Sequence, residues 1–275
     1  MSDDLNKSSA HGVDSVCVEP ALEQQQRRAF LRNTVIAAGA AVVAPGLLIT
    51  VAKATGSGDV TSNQRWGMLI DTDKCASGCT ACVEACETEN GIDLVVQPKR
   101  NPDHLWEQQR PQWIRKVKLQ DQQTGVVTNL PIMCQHCEKP PCCDVCPTGA
   151  SFKRADGIVM VDRHICIGCR YCMMACPYKA RSFIHQHVAE QRSHAPRGIG
   201  CVESCNLCAH RIDRDQGGEV TTACQDACAA AGHHAILFGD LKDPESALAK
   251  ALAEQTSRQI RADLELNTGV RYTNI

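Results

Sequence analysis

The hydrophobic and polar positions of this chain fall into short strands and short helices. Residues 113–119 alternate apolar and polar, then meet a Gln/Thr/Gly turn and a second apolar arm, which predicts a β-hairpin. Met68-Leu69-Ile70 and Val159-Met160-Val161 are matching apolar runs that pass an aspartate on the way to Cys75 and Cys166, and each predicts a short strand entering a loop. Asp156-Gly157, between apolar-rich arms in residues 150–161, predicts a two-residue hairpin turn. Ala235-Ile236-Leu237-Phe238 reads as another short strand. Asp243-Pro244 opens an Ala/Leu-patterned helix running to about Gln255, with the aspartate as cap and the proline in the first turn; its expected role is core packing. One stretch departs from this pattern: residues 33–52 are uncharged and rich in Ala, Val and Gly.

That stretch follows Gln26-Arg27-Arg28-Ala29-Phe30-Leu31-Arg32 and ends in Ala52-Lys53-Ala54, a small-residue cleavage pattern. Together they resemble a twin-arginine signal. Residues 1–54 are therefore expected to be a signal peptide read by the twin-arginine export machinery, leaving residues 55–275 on the periplasmic side of the inner membrane. An uncleaved anchor is the alternative, since about 20 uncharged residues can span a bilayer. Pro45, Gly39, Gly46 and the low Leu/Ile/Phe content make it a poor span. The twin-arginine route moves folded proteins, commonly with a cofactor in place, and so favours metal over disulfides.

Composition sharpens this. The chain has 275 residues, only 4% aromatic, and 19 cysteines, so bulky core material is scarce and cross-links through sulfur are expected. A formal net charge of -2 gives no reason to expect nucleic acid as a partner.

Cys17 lies in the presequence, and sixteen of the remaining cysteines form four runs. The first is Cys75-x3-Cys79-x2-Cys82-x3-Cys86. The second is Cys134-x2-Cys137-x4-Cys142-x3-Cys146, followed by Pro147. The third is Cys166-x2-Cys169-x2-Cys172-x3-Cys176, followed by Pro177, and the fourth is Cys205-x2-Cys208-x15-Cys224-x3-Cys228. The third matches the bacterial ferredoxin run without departure. Three closely spaced thiolates can wrap three irons of a [4Fe-4S] cube, while the fourth, expected to begin a helix, points toward a second cluster, so runs interlock in pairs. The chain order gives Cys134, Cys137, Cys142 and Cys176 as one set and Cys166, Cys169, Cys172 and Cys146 as its neighbour. The first and fourth runs then exchange their last members: Cys75, Cys79 and Cys82 with Cys228, and Cys205, Cys208 and Cys224 with Cys86. Four [4Fe-4S] clusters are expected.

Tetrahedral zinc and a disulfide scaffold are alternatives, but neither explains the repeated x2-x2-x3 run with its following proline. A chain with one cluster missing is a third. The first run opens with x3, which Gly78 can absorb through an unusual backbone angle. Cys201, three residues before Cys205, and Cys143, beside Cys142, raise questions of register and otherwise read as small buried or free thiols. His136, His233 and His234 read as hydrogen-bonding or surface residues rather than ligands. Lys179, Arg181 and Arg211 lie near cysteine loops, where they either tune a centre, dock a partner or face solvent.

The stretch from Cys134 through Cys137, Cys142 and Cys146 to Ala150, with Asp156 to Asp162 and Cys166 to Tyr178, resembles the four-cluster iron–sulfur subunits of molybdopterin oxidoreductases. These serve dimethyl sulfoxide, polysulfide, tetrathionate and formate-dependent nitrite reduction. The resemblance covers roughly residues 66–241, with Ala229 where many relatives have proline. The exported location, residues 238–244 and the ending Gly269 to Tyr272 are most similar to the periplasmic iron–sulfur subunits of Dsr membrane complexes in sulfur-metabolising bacteria. The resemblance implies a partner that is a polytopic quinone-interacting membrane subunit, and electron relay to or from other redox subunits.

The expected fold class is α+β: tandem two-cluster ferredoxin-like modules of short strands, cysteine loops and short helices, with an inserted β-hairpin. Residues 66–133 with 201–241 would carry the outer pair of clusters, residues 134–200 the inner pair, and residues 242–275 a helix and tail. The expected function is non-catalytic electron transfer, for no GxGxxG fingerprint or flavin signature is present. A subunit of a periplasmic tetrathionate or polysulfide reductase is the alternative, and a disulfide-rich periplasmic binding protein a third reading.

Overall fold

The structure is a computed structural model that describes residues 60–92, 109–188, 191–214 and 220–275, all within the compact unit Ala54–Ile275. Residues 1–59, with Cys17 and the expected signal peptide, and residues 93–108 of the stretch between the first two runs, lie outside the described residues. In chain order the elements are β1 (Trp66–Asp71), α1 (Ala81–Asn90), β2 (Arg115–Gln120), β3 (Val127–Ile132), α2 (Pro141–Asp144), β4 (Ser151–Lys153), β5 (Val159–Val161), α3 (Tyr171–Ala175), β6 (Ser182–Phe183) and β7 (Val202–Glu203). There follow α4 (Ala209–Arg214), α5 (Ala223–Ala230), β8 (Ile236–Asp240), α6 (Ala247–Glu254), a 3-10 turn (Ala262–Leu264) and β9 (Val270–Thr273). This is a mixed α+β architecture of short pieces.

β1 is the central strand of a three-stranded sheet. β8 runs antiparallel on one side, with Met68 opposite Phe238, and β9 runs parallel on the other, with Met68 opposite Val270. Its interior positions are buried, as a central strand requires, and Trp66 stacks on Phe238 with ring centroids 5.1 Å apart. α6 closes over β8 where Gly239 leaves room: a Cβ there would stand 2.9 Å from that of Leu248, which is fully buried. β9 is not read in the sequence, because Val270-Arg271-Tyr272-Thr273 is too short to stand out from a tail. It ties the sheet to the second cysteine run. The Tyr272 hydroxyl donates to the Pro131 carbonyl and accepts from Gln135 Nε2, each at 3.1 Å, and the Gly269 N–H donates to the Gln135 carbonyl at 2.9 Å.

The hairpin predicted from residue 113 onward is β2–β3, paired from Arg115↔Ile132 to Gln120↔Val127. Asp121 Oδ1 accepts the N–H groups of Gln123 and Thr124 at its turn. Two other turns differ from the sequence reading. β4 and β5 are joined by a three-residue loop closed by Arg154 N–H to Ile158 O (2.8 Å) and Gly157 N–H to Arg154 O (3.1 Å). Asp156-Gly157 therefore fills its last two positions rather than forming a two-residue turn, with Gly157 at φ 87 supplying the left-handed residue such loops need. The C-terminal helix starts at Ala247, after the expected Asp243-Pro244. Asp243 closes a preceding turn, and Ser246 is the cap, its hydroxyl accepting the Ala249 N–H.

The cysteine helices also differ. The fourth cysteine of a run does not begin a helix. In α1 and α5 the third and fourth cysteines, Cys82 with Cys86 and Cys224 with Cys228, lie one turn apart within one helix. In the second and third runs the helix holds Cys142 or Cys172 and ends before Cys146 or Cys176. α1 packs on α5, and α2 on α3. Among the described residues no helix is long and apolar enough to cross a membrane.

Candidate metal centres

The sixteen cysteines gather into four groups that cut across the runs. Cys75, Cys79, Cys82 and Cys228 line a small open-mouthed cavity with Lys116 and His233. Cys146, Cys166, Cys169 and Cys172 line a second with Thr148 and Arg170. Cys86 stands in the electrostatic field of Cys205, Cys224 and Cys208, and Cys137 in that of Cys134, Cys142 and Cys176. We call these sites first (Cys75 group), second (Cys86 group), third (Cys134 group) and fourth (Cys146 group), because adjacent sites lie within electrostatic reach of one another in that order. Cys82 and Cys224 feel one another across the first boundary, Cys205 and Cys134 across the next, and Cys142 and Cys172 across the last. Every cysteine of the second and third sites is buried, whereas Cys75, Cys79, Cys146, Cys166 and Cys169 are half-buried.

Burial works against free thiolates here. It pushes the Cys82 thiol up to about 11 and those of Cys134, Cys137 and Cys224 up to about 12. Four converging sulfurs that cannot ionise unaided fit a bound metal, whose charge offsets the desolvation. A single tetrahedral ion does not require the x2-x2-x3 spacing with its following proline seen in the third run, so these donor sets suit a multi-atom iron–sulfur group.

Each site has polar groups directed at sulfur. Lys116 Nζ, from β2, lies 2.9 Å from Cys75 Sγ and 3.1 Å from the Ala76 carbonyl. The Ala235 N–H donates to Cys228 Sγ at 3.2 Å, the Leu207 N–H to Cys205 Sγ at 3.5 Å and the Ser151 N–H to Cys146 Sγ at 3.4 Å. Arg181 Nη2 donates to Cys142 Sγ at 3.0 Å. Cys142 alone among the buried thiols is drawn down, to about 6, first by its hydrogen bond with Cys143 and then, against burial, by Arg181.

The three basic residues singled out in the sequence separate. Arg181 is buried on a ligand sulfur. Arg211 brackets Glu89 and Asp226, holding the Glu89 carboxyl down at about 2. Lys179 is exposed. Lys116 escapes the sequence reading: one lysine of a predicted hairpin carries no signal of its own, and its reach to Cys75 depends on how that hairpin packs. Gly78 has φ +79, the conformation that absorbs the extra residue of the first loop.

Cys201 is buried beside the fourth site, its thiol donating to the Arg163 carbonyl at 3.4 Å and reaching the Cys166 carbonyl at 3.9 Å, and Cys143 meets Ser151 Oγ at 3.9 Å. His136 is buried and its Nδ1 accepts the Val159 N–H at 3.0 Å, an arrangement that keeps it neutral and structural. His233 lines the first cavity and His234 is exposed.

Comparison with known proteins agrees with this donor set. Residues 125–240 match the model of the 4Fe-4S dicluster domain family. The chain is 38% identical, over 90% of its length and 98% of the relative's, to the Hdr-like menaquinol oxidoreductase iron-sulfur subunit 1 of Archaeoglobus fulgidus. It is 36% identical to the menaquinone reductase iron-sulfur cluster-binding subunit of Nitratidesulfovibrio vulgaris, over 66% of this chain and 77% of that protein. With a tetrathionate reductase subunit of Salmonella typhimurium the identity is 34%, over 68% of this chain and 63% of that protein.

Proposed function

Because the chain belongs to the family of 4Fe-4S iron–sulfur subunits that carry electrons within respiratory oxidoreductases, we propose that it holds four [4Fe-4S] clusters in a row and relays single electrons between a quinone-interacting membrane subunit and other redox subunits. The ligands are Cys75, Cys79, Cys82 and Cys228; Cys86, Cys205, Cys208 and Cys224; Cys134, Cys137, Cys142 and Cys176; and Cys146, Cys166, Cys169 and Cys172. The observation that carries this reading is the sequence of sites: two wholly buried groups in the middle, one half-exposed group at each end, and cysteines of neighbouring groups within electrostatic reach at every boundary.

When bound, each cluster supplies a one-electron couple that works with little rearrangement. The chain's own task is to hold the sulfurs, keep water from the middle sites, and set the charge and hydrogen bonds around each. Its part is electron transfer, and it catalyses no reaction of its own.

The finer reading follows the same lines. Residues 1–54 are a twin-arginine signal, and residues 55–275 form one unit of two interleaved modules, residues 66–133 with 201–241 and residues 134–200, closed by residues 242–275. The protein works in the periplasm, attached to the membrane through its partners, in respiration or oxidation of sulfur compounds, as in the Dsr complexes it resembles. The menaquinol- and menaquinone-linked relatives support a quinone-interacting partner. Membership of a tetrathionate-type reductase is the second reading, favoured by the 34% identity to a component of that enzyme.

The test is iron and acid-labile sulfide per chain after anaerobic purification. About sixteen of each is the expected result, about twelve would remove one site, and near zero would overturn the reading.

A further inference from the structure

The chain pairs its other buried and half-buried arginines in ordinary ways. Arg197 forks onto Glu203 with bonds of 2.9 and 2.7 Å. Arg154 meets Asp156 and Asp213, and Arg211 meets Glu89 and Asp226. Arg163 donates to the Pro196 carbonyl and lies over the Trp113 ring. Arg181 does none of this. It is 5% exposed, its Nη2 donates to Cys142 Sγ, and its Nε and Nη1 have no partner. Among the described residues no carboxylate pairs with it. A buried charge left uncompensated costs several kcal/mol, and a buried N–H without an acceptor adds to that. The sulfurs within electrostatic reach of Arg181 are those of Cys142 and Cys134 of the third site and Cys172 of the fourth.

Resting on the four-cluster reading, we propose that Arg181 is the counter-charge shared by the third and fourth centres: a fixed cation, lodged between them, that stabilises the reduced form of both and makes this half of the row the better electron acceptor. Its unpaired N–H groups then have the sulfur of the bound groups as acceptors. Reduction of a centre adds one electron, received from its neighbour in the row, and makes or breaks no bond. Lys116 does the same for the first centre alone, from a half-exposed rim where water weakens it. Arg181 acts from a dry position, where a fixed charge is felt more strongly.

The experiment is an EPR-monitored redox titration of the full chain, purified without oxygen with its clusters in place, comparing the native protein with Arg181→Met and Arg181→Lys and counting iron in each. Couples are assigned to the third and fourth sites by their loss in Cys137→Ala and Cys169→Ala. In Arg181→Met those two couples should become harder to reduce by about tenfold in equilibrium constant, about 59 mV for one electron, while the other two stay in place. Arg181→Lys should restore most of the shift. Unmoved couples, an equal shift of all four, or a lysine variant that behaves like the methionine one would overturn the proposal. If Arg181→Met loses iron, the lysine variant decides: iron and potentials kept supports a role for charge, and iron lost reduces Arg181 to a scaffold. A native chain with little iron would sink the four-cluster reading first, before any variant is compared.

Discussion

The first and fourth sites are the two exposed ends of the row, and they are finished differently. Around the first, Cys75 and Cys79 sit in a loop of polar residues, Asp73, Lys74, Ser77 and Thr80, all exposed, and a cation reaches in from the β2–β3 hairpin. Around the fourth, exposed apolar side chains stand beside Thr148, His164 and Arg170: Ile165, Ile167, Tyr171, Met174 and Ile199 are each at least 48% exposed. Cys146 takes its contacts from its own loop, through the Ser151 N–H and Thr148 Oγ1. The loops also pack differently. A Cβ on Gly78 would meet nothing within 4 Å, whereas one on Gly168 would fall 2.1 Å from the Gly200 carbonyl oxygen. The first end is thus a solvated loop trimmed by a borrowed charge. The fourth is a tightly backed loop that leaves an apolar rim in water, a surface whose cover would have to be apolar too.

The largest effect that bears on this contrast is loss of a ligand across runs. Cys228→Ala should abolish the same couple as Cys79→Ala, and Cys146→Ala the same couple as Cys169→Ala, each with loss of about four irons of about sixteen. EPR spectra and iron analysis check this, and loss of different couples within either pair would break the grouping on which the comparison stands.

Next comes backbone fit. Gly168→Ala should empty or distort the fourth site, because the clash is with backbone that cannot swing away. Gly78→Ala should cost only the left-handed penalty, about 1 kcal/mol, and keep its iron. Equal iron content in the two variants would mean that the two loops are packed alike.

A smaller shift is expected from Lys116→Met. The first couple should fall by up to about 59 mV, a tenfold change for one electron, with the fourth couple unmoved; a titration of both ends in one sample reads this directly. Smallest is the surface effect. The pair Ile167→Lys with Met174→Lys should shorten retention of the folded chain on a hydrophobic resin, while Thr80→Lys at the other end should leave it unchanged. If both variants shift alike, the apolar rim is no different from the rest of the surface.

What the sequence discloses follows the range of the interactions involved. The cysteine runs are plain because metal-ligand spacing is local, and the β2–β3 hairpin because alternation across a turn is local too. The start of α6 lies a few residues beyond its expected place because Asp243-Pro244 and Ser246 are both good openings, and only the hydrogen bond from Ala249 chooses between them. β9 stays hidden because four residues have no pattern of their own and gain one only beside β1. The same holds for the side chains around the sulfurs. Lys116 reaches Cys75 over 41 positions and Arg181 reaches Cys142 over 39. Composition marks both as basic, but nothing short of tertiary packing distinguishes buried Arg181 from solvent-facing Lys179.

The sheet carries a consequence for how the protein is made. β1 emerges early from the ribosome, yet both of its hydrogen-bonding edges are claimed by strands translated far later, β8 and β9. The cysteines of residues 75–86 are likewise grouped with partners beyond residue 204, while those of the third and fourth sites are complete once residue 176 is out. A nascent chain can thus close its middle segment first, and must keep its leading segment waiting, unpaired, until the trailing one arrives to enclose it.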